Sequence, residues 1–267
     1  MQAMNSKRPD YTVFVPSTDE YSDLWIPFLH YLDKFWSWRD ANVLLGSNFI
    51  NQDLPGATVH LTGASKYWGE HVLKLLDLVE TDNILLMMPD FFLTNYIDAS
   101  RFSYYLELFK TEQIKCLALT PRSINKHGAL VYPGCKEIDL TGAYSVSLDV
   151  SLWKVDALRK VLRPSDSPWS LERSSRIEHE NPKKWCYVTE AVFHYSPTGA
   201  LIRGSWSRTS RRMLKHDGLQ SSLGSRPVLS RRLSSIYGMR SLFFKLISVT
   251  CPDLIRAYNL RILKTNN

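Results

Sequence analysis

Residues 84–93, Ile-Leu-Leu-Met-Met-Pro-Asp-Phe-Phe-Leu, hold a single carboxylate, Asp90, inside an apolar run that resumes with aromatics. A charge with such flanks needs a partner. A buried strand that delivers an acid at its tip can hold a metal, a phosphate or a sugar hydroxyl. The plainer reading is that Asp90 caps the turn into 91–97. A second acid, Glu172, closes the segment Ser167-Pro168-Trp169-Ser170-Leu171-Glu172, which reads as a turn. There Trp169 offers a stacking face for a sugar ring, and Glu172 can take a proton from an attacking hydroxyl. The competing reading is a solvated Glu172 paired with Arg173 or Arg176. Ser17, Thr18 and Asp19 follow the first apolar run, 11–16, at the strand edge where open α/β sheets bind nucleotides. Each could equally cap the helix that comes next. Ser47 and Asn48 after the second strand follow the same logic.

Other chemistries lack their signatures. The chain contains no G-x-G-x-x-G, no G-x-x-x-x-G-K-[ST] and no G-x-S-x-G. Its four cysteines, Cys116, Cys135, Cys186 and Cys251, form no C-x-x-C pair, and its seven histidines show no ligand spacing. Four reduced thiols in a cytoplasmic protein are the expectation.

The elements that must position these residues are read from periodicity. Residues 11–16, 42–46, 58–62 and 84–88 are expected strands, with helices over 21–37 and 67–80 between them. This β-α-β order favours an α/β fold: a mostly parallel central sheet flanked by helices, nucleotide-binding and Rossmann-like. Further helices are expected at 98–110, capped by Asp98, and at 151–162. Further strands are expected at 114–119, 129–132, 144–148 and 184–195.

The chain has 267 residues, of which 44% are hydrophobic, enough for a sizeable core. No apolar run reaches the ~18–20 residues that span a bilayer, and the first ten residues show no secretory signal. The net charge of +7 is uneven. Residues 203–267 carry 13 Lys/Arg against two acids, whereas residues 1–202 carry 20 against 24. Two units are therefore expected: a catalytic domain over 1–202 and a basic, mainly helical extension over 203–267. In the extension, 206–216 read as a basic helix with Gly218 at its end, and 219–235 as a loop. Residues 237–263 read as two amphipathic pieces split by Pro252. An anionic membrane surface, at the inner face of a membrane, is one candidate partner of this tail; the competing reading is that its apolar stripes pack on the catalytic domain and its cations are solvated. Nucleic acid is not a candidate, because no reading motif accompanies the charge.

Three stretches together resemble the GT-A fold of nucleotide-diphospho-sugar transferases of bacterial type. They are Leu85 to Leu93, Val146 to Trp153 and Leu162 to Glu172; Gly204-Ser205-Trp206, and Gly218-Leu219 before Arg226-Pro227, also fit. The resemblance spans roughly residues 11–230. It implies an inverting glycosyltransferase acting in surface polysaccharide or lipopolysaccharide assembly, with a nucleotide-sugar donor and a saccharide or lipid-linked acceptor. Asp90 would then be the acid of the diphosphate or of a Mg²⁺ or Mn²⁺ ion, and Glu172 the general base. Ser17, Thr18, Asp19 and Arg203 would bind the donor, and Trp169 the acceptor. Where relatives carry two adjacent acids this chain has Pro89-Asp90, which weakens a metal site. The departure keeps open a non-catalytic nucleotide-sugar or carbohydrate-binding protein.

Overall fold

The computed structural model of the chain describes residues 9–122, 128–140, 143–174, 177, 179–196, 198–237 and 239. Strand β1 (Thr12–Val15) leads through a 3-10 turn (Asp19–Leu24) into helix α1 (Trp25–Phe35). Then come β2 (Val43–Ser47), β3 (Ala57–Leu61), α2 (Trp68–Leu76), β4 (Asn83–Leu86) and α3 (Ala99–Thr111). The middle of the chain gives β5 (Cys116–Ala118), β6 (Leu130–Tyr132), β7 (Cys135–Glu137), β8 (Ser151–Lys154), α4 (Val155–Val161) and α5 (Pro168–Arg173). It ends with β9 (Trp185–Val188), the ribbon β10 (Leu201–Ile202) and β11 (Ser205–Trp206), and α6 (Arg208–His216).

Nine strands make one sheet in the order β3-β2-β1-β4-β8-β5-β9-β7-β6. Following the pairings across it, seven strands run one way and β7 and β8 the other. The fold is thus α/β, with a mostly parallel central sheet. Helices cover both faces, which is why β1, β2 and β4 are continuous apolar runs rather than alternating ones. Val13, Val15, Leu45 and Leu85 face a core that also holds Phe28 and Leu32 of α1 and Phe102 of α3. Phe14, Leu44, Ile84 and Leu86 face the opposite core, with Val72 of α2, Leu158 of α4 and Leu171 of α5. The alternation is the two-residue period of the strand read out as two cores.

Several elements depart from the periodicity. Residues 144–148 are not a strand; the strand is Ser151–Lys154, and it runs straight into α4, which takes only the second part of the expected helix 151–162. The expected turn around Trp169 is helix α5, because Pro168 occupies its first turn and Ser167 caps it in a reciprocal bond with Ser170. The strand expected over 184–195 stops at Val188. Residues 219–235 are not a plain loop: they hold a 3-10 turn (Gln220–Leu223), and residues 231–237 are helical. No helix among the described residues is long and apolar enough to cross a membrane. Apart from Tyr237 and Met239, the amphipathic pieces expected over 237–263 lie outside the described residues, as does Cys251. Cys116, Cys135 and Cys186 are buried free thiols whose pKa burial pushes up.

Candidate functional site

The strand order β3-β2-β1-β4 reverses direction of travel at β1. From there the chain goes to β2 on one side, and β4 arrives on the other. Such a switch point opens a crevice beyond the carboxyl ends of the two strands. A cleft of about 440 Å³ lies there. Pro16 and Thr18 follow β1 into it, and Met88, Pro89 and Asp90 follow β4. Strand β8 runs antiparallel to β4, with Ser151 opposite Leu86. An antiparallel strand starts at the edge where its parallel neighbours finish, so Leu148 and Asp149, just before β8, also line the cleft. Trp169 and Glu172 reach it from α5, Trp68 from the first turn of α2, and Arg203 and Gly204 from the β10–β11 turn.

Asp90 is held by the backbone of residues 199–201. The Ala200 amide donates to the Asp90 carbonyl at 2.7 Å. Gly199, at φ 68°, passes so close that a Cβ there would sit 2.0 Å from Asp90 Oδ2. Burial pushes the Asp90 pKa up to about 6, offset in part by its own amide and that of Leu201.

Glu172 sits in a carboxylate pair. Its Oε1 accepts from the Leu148 amide at 2.9 Å and lies 3.3 Å from the Ser147 hydroxyl. That hydroxyl is 2.9 Å from Asp149 Oδ2, so it stands between the two acids. Tyr195 Oη donates to the other Asp149 oxygen at 3.1 Å, with its ring stacked on Phe91 at 4.3 Å between centroids. Burial raises the Glu172 pKa, and the Asp149 charge adds to the rise; the Leu148 amide and the cation of Arg122 oppose it. Arg122 is itself buried, and its guanidinium donates to the carbonyls of Ser145 at 3.0 Å and Tyr144 at 2.7 Å. It thereby fixes the 144–149 segment that presents Asp149. Arg173 does not neutralise Glu172 through its Nε, which donates to the Trp169 carbonyl at 3.1 Å.

Arg203 and Gly204 form the two-residue turn of the β10–β11 ribbon, with φ of 49° and 74°. Positive φ at both positions is the geometry that fits the twist of a tight hairpin, and it is uncommon for a residue with a Cβ. The Arg203 guanidinium lies 5.7 Å from the centroid of Tyr237.

The expected donor-binding set is only partly assembled. Thr18 lines the cleft, but Ser17 and Asp19 do not. Ser17 is 1% exposed; its hydroxyl accepts from Trp25 Nε1 at 2.7 Å. Asp19 is spent on the loop after β2: its carboxylate accepts from the Ser47 hydroxyl at 2.6 Å and from the amides of Asn48, Phe49 and Ile50. Desolvation is the largest single influence on its pKa and pushes it up, but these bonds together outweigh it and hold the pKa down. Ser47 and Asn48 are thus partners of Asp19. Asp149, Arg122, Tyr195 and Trp68 belong to the cleft or its frame although the sequence gives none of them a role. Asp149 repeats the signature of Asp90, an acid between apolar residues at a strand edge, and could have been found by it.

Among the described residues no three His, Cys, Asp or Glu side chains gather into a metal-holding group. Asp90 brings one carboxylate, flanked by Pro89 and drawn toward the neutral form by burial. A Mg²⁺ or Mn²⁺ ion beside Asp90 would have to take its remaining oxygen ligands from a diphosphate and from water.

No protein family matches this chain, and no curated protein does. Solved structures do. S. aureus TarS 1–349 in complex with UDP is 13% identical with a TM-score of 0.47, over 70% of this chain and 60% of that one. A cytidylyltransferase from Leptospira borgpetersenii is 14% identical with a TM-score of 0.43, over 83% of this chain and 99% of that one. The 2-C-methyl-D-erythritol 4-phosphate cytidylyltransferase of Thermus thermophilus is 14% identical with a TM-score of 0.36, over 62% and 84%. The chain spans 60% of the TarS 1–349 chain and 36% of the longer TarS chain it matches. Likeness at this level says nothing about activity.

Proposed function

We propose that this chain is a glycosyltransferase that moves a sugar from a nucleotide-sugar donor to a hydroxyl of a saccharide or lipid-linked acceptor, in surface polysaccharide or lipopolysaccharide assembly. One observation carries the reading. A single cleft at the switch point of the sheet brings together a carboxylate with a raised pKa on a helix, a second acid at a strand end, an arginine and an exposed indole. A nucleotide-binding crevice with a base and a stacking face is what sugar transfer requires.

In this mechanism Glu172 takes the proton of the acceptor hydroxyl as that oxygen bonds to the anomeric carbon. Transfer inverts, with attack from the face opposite the leaving diphosphate. Both hydrogen bonds to Glu172 fall on Oε1, so Oε2 has no donor among the described residues and can receive the proton. Burial, with the Asp149 charge adding to it, keeps the Glu172 pKa raised, which strengthens it as a base. Arg203 faces the charge that develops on the leaving diphosphate, with Thr18 beside it. Asp90 binds a hydroxyl of the donor sugar; at a pKa of about 6 it is ionised at neutral pH and accepts.

Turnover of UDP-, GDP- and CMP-sugars, with hydrolysis of the donor scored alongside transfer, tests the reading. Release of nucleotide from at least one donor is expected, and its loss in Glu172→Gln. The second reading is a binding protein without chemistry. It is favoured by Pro89 and by the structural use of Glu172 Oε1, which pins the Leu148 amide. Nucleotide-sugar binding with no turnover of any donor selects it.

A further inference from the structure

The β10–β11 ribbon is gripped by the chain that follows it. Val228 pairs in parallel with Trp206 of β11: the Trp206 amide donates to the Pro227 carbonyl at 2.9 Å, and the Leu229 amide to the Trp206 carbonyl at 2.9 Å. Just before this pairing, Arg226 Nη1 donates to the Gly204 carbonyl at 3.4 Å and its Nε to Asp23 at 2.6 Å. The same guanidinium lies 5.3 Å from the ring centroid of Tyr21, which lines the cleft. Just after the pairing, Ser230 starts the helical residues 231–237: its hydroxyl accepts from the Leu233 amide at 3.3 Å and its carbonyl from the Ser234 amide at 2.9 Å. This short helix carries the Tyr237 ring under the Arg203 guanidinium. Both residues of the β10–β11 turn are thus held from 226–237, Gly204 by its carbonyl and Arg203 by its side chain.

Arg203 has no other partner among the described residues: it is exposed, pairs with no acid and donates no hydrogen bond. A long side chain left loose loses much of its freedom when a ligand arrests it. An aromatic face limits that loss in a particular way. It attracts the cation and fixes its direction, yet takes none of its five N–H groups. A carboxylate partner would do the reverse, cancelling the charge and filling the fork. The backbone adds a second sign. Arg203 is held in the left-handed region, a strain that glycine would avoid, and such strain points to a use for the side chain.

We infer that Tyr237 is a positioning residue of the donor site, its ring holding the Arg203 guanidinium at the mouth of the cleft with the N–H groups free for the phosphates of the donor. The inference rests on the glycosyl-transfer reading, which gives Arg203 the leaving diphosphate. It also divides the basic extension by task. Residues 226–237 belong to the active centre: Arg226 braces the turn against Asp23 and Tyr21, and Tyr237 aims the cation. Only the chain beyond them is left for other work.

The test titrates inorganic pyrophosphate, UDP- and GDP-sugars and the free nucleosides into full-length variants by calorimetry. Y237A should weaken pyrophosphate and the best-bound nucleotide sugar about two- to fivefold and leave the nucleosides unchanged. Y237F and Y237W keep the aromatic face and should bind as the parent does. Y237L keeps bulk without that face and should behave like Y237A. In an R203M background, Y237A should weaken binding no further. The ¹⁵Nε signal of Arg203, assigned with R203M, should leave its ring-shifted position in Y237A and Y237L but not in Y237F. Melting curves check folding; if Y237A does not fold, the contrast of Y237L with Y237F decides. Unchanged affinity in Y237L, failure of Y237F to match the parent, or equal weakening by Y237A with and without Arg203 overturns the inference. If nucleotide sugars bind and respond to R203M but not to Tyr237, only the inference fails. If pyrophosphate binding depends on Tyr237 while no nucleotide sugar binds or turns over, the pair stands and the glycosyl-transfer reading falls. If the parent binds neither, both fall.

Discussion

Asp90 and Glu172 are both pushed toward their neutral forms, but by surroundings that make opposite demands. Around Asp90 the dominant cause is burial, so the folded chain holds its proton more tightly than the unfolded chain does. Its ionisation, between about pH 4 and 6, therefore costs stability as pH rises. Asp90→Asn removes that cost. Above pH 7 the variant should melt higher than the parent, by the equivalent of as much as about 3 kcal/mol, while losing donor turnover. Below pH 4 the two should melt alike, and melting curves across pH 4–8 check the crossover. For Glu172 burial is again the largest cause, but neighbours act on it as well: the amide of Leu148 and the charges of Asp149 and Arg122 adjust its basicity, and the amide fixes its geometry. Glu172→Gln keeps an oxygen for the Leu148 amide and cannot accept the proton. We expect turnover to fall ~10²-fold or more with the donor dissociation constant nearly unchanged, read by single-turnover assay and calorimetry. Asp90 was visible in the sequence because apolar flanks isolate it. Ser17 and Asp19 were misplaced because small polar residues after a strand serve a local loop as readily as a ligand, and here Asp19 organises residues 47–50.

At the scale of elements, the parallel strands were legible because burial on both faces leaves unbroken apolar runs at Val13–Val15 of β1, Val43–Leu45 of β2 and Ile84–Leu86 of β4. Strand β8 was not. Tyr144 to Leu148 alternate in polarity like a half-buried strand, yet they form a loop that packs Val146 and Leu148 inward while Arg122 ties its carbonyls. The real strand, four residues long, joins α4 with no residue between them, so the helical period swallowed it. Two turns make the elements testable. Arg203 occupies a left-handed position in the β10–β11 turn, which suits glycine better. Arg203→Gly should keep or raise stability, by up to about 1 kcal/mol, and weaken donor binding; a melting curve and a donor titration separate the two effects. The start of α2 is the opposite case, a position that cannot carry a side chain. Gly69→Ala drives a methyl into the Arg163 carbonyl and should cost about 1–3 kcal/mol while shifting Trp68 in the wall of the cleft. Denaturant unfolding gives the first effect and indole spectra the second.

On the scale of the whole molecule, charge separates what shape does not. Residues 203–267 hold the excess of cations, yet β10, β11 and α6 are built into the body of the fold: Trp206 and Leu214 lie in the core with α1. Lys34 of α1 binds Asp217 at 2.9 Å, and Arg226 binds Asp23 at 2.6 Å. We therefore propose that a membrane-facing extension, if it acts as one unit, begins after these anchors. The full chain should co-sediment with anionic vesicles, and a version ending at residue 239 should not. Each lost Lys or Arg near the surface contributes about 1 kcal/mol. Equal sedimentation of both would remove the membrane from the function. The cleft has a consequence of another kind. Its wall is drawn from residues near 18, 68, 90, 149, 170 and 203, so neighbours across it are separated by most of the chain. Contacts of such long sequence separation close late on the folding route, after the sheet has accepted β8, the reversed strand beside β4. No fragment of the chain carries the cleft ready-made, and nothing that occupies it can bind before the sheet is complete. A ligand held at about a hundred times its dissociation constant would therefore add about 2.7 kcal/mol to the stability of the entire sheet rather than to one loop, making the site a reporter of whether the molecule has finished folding.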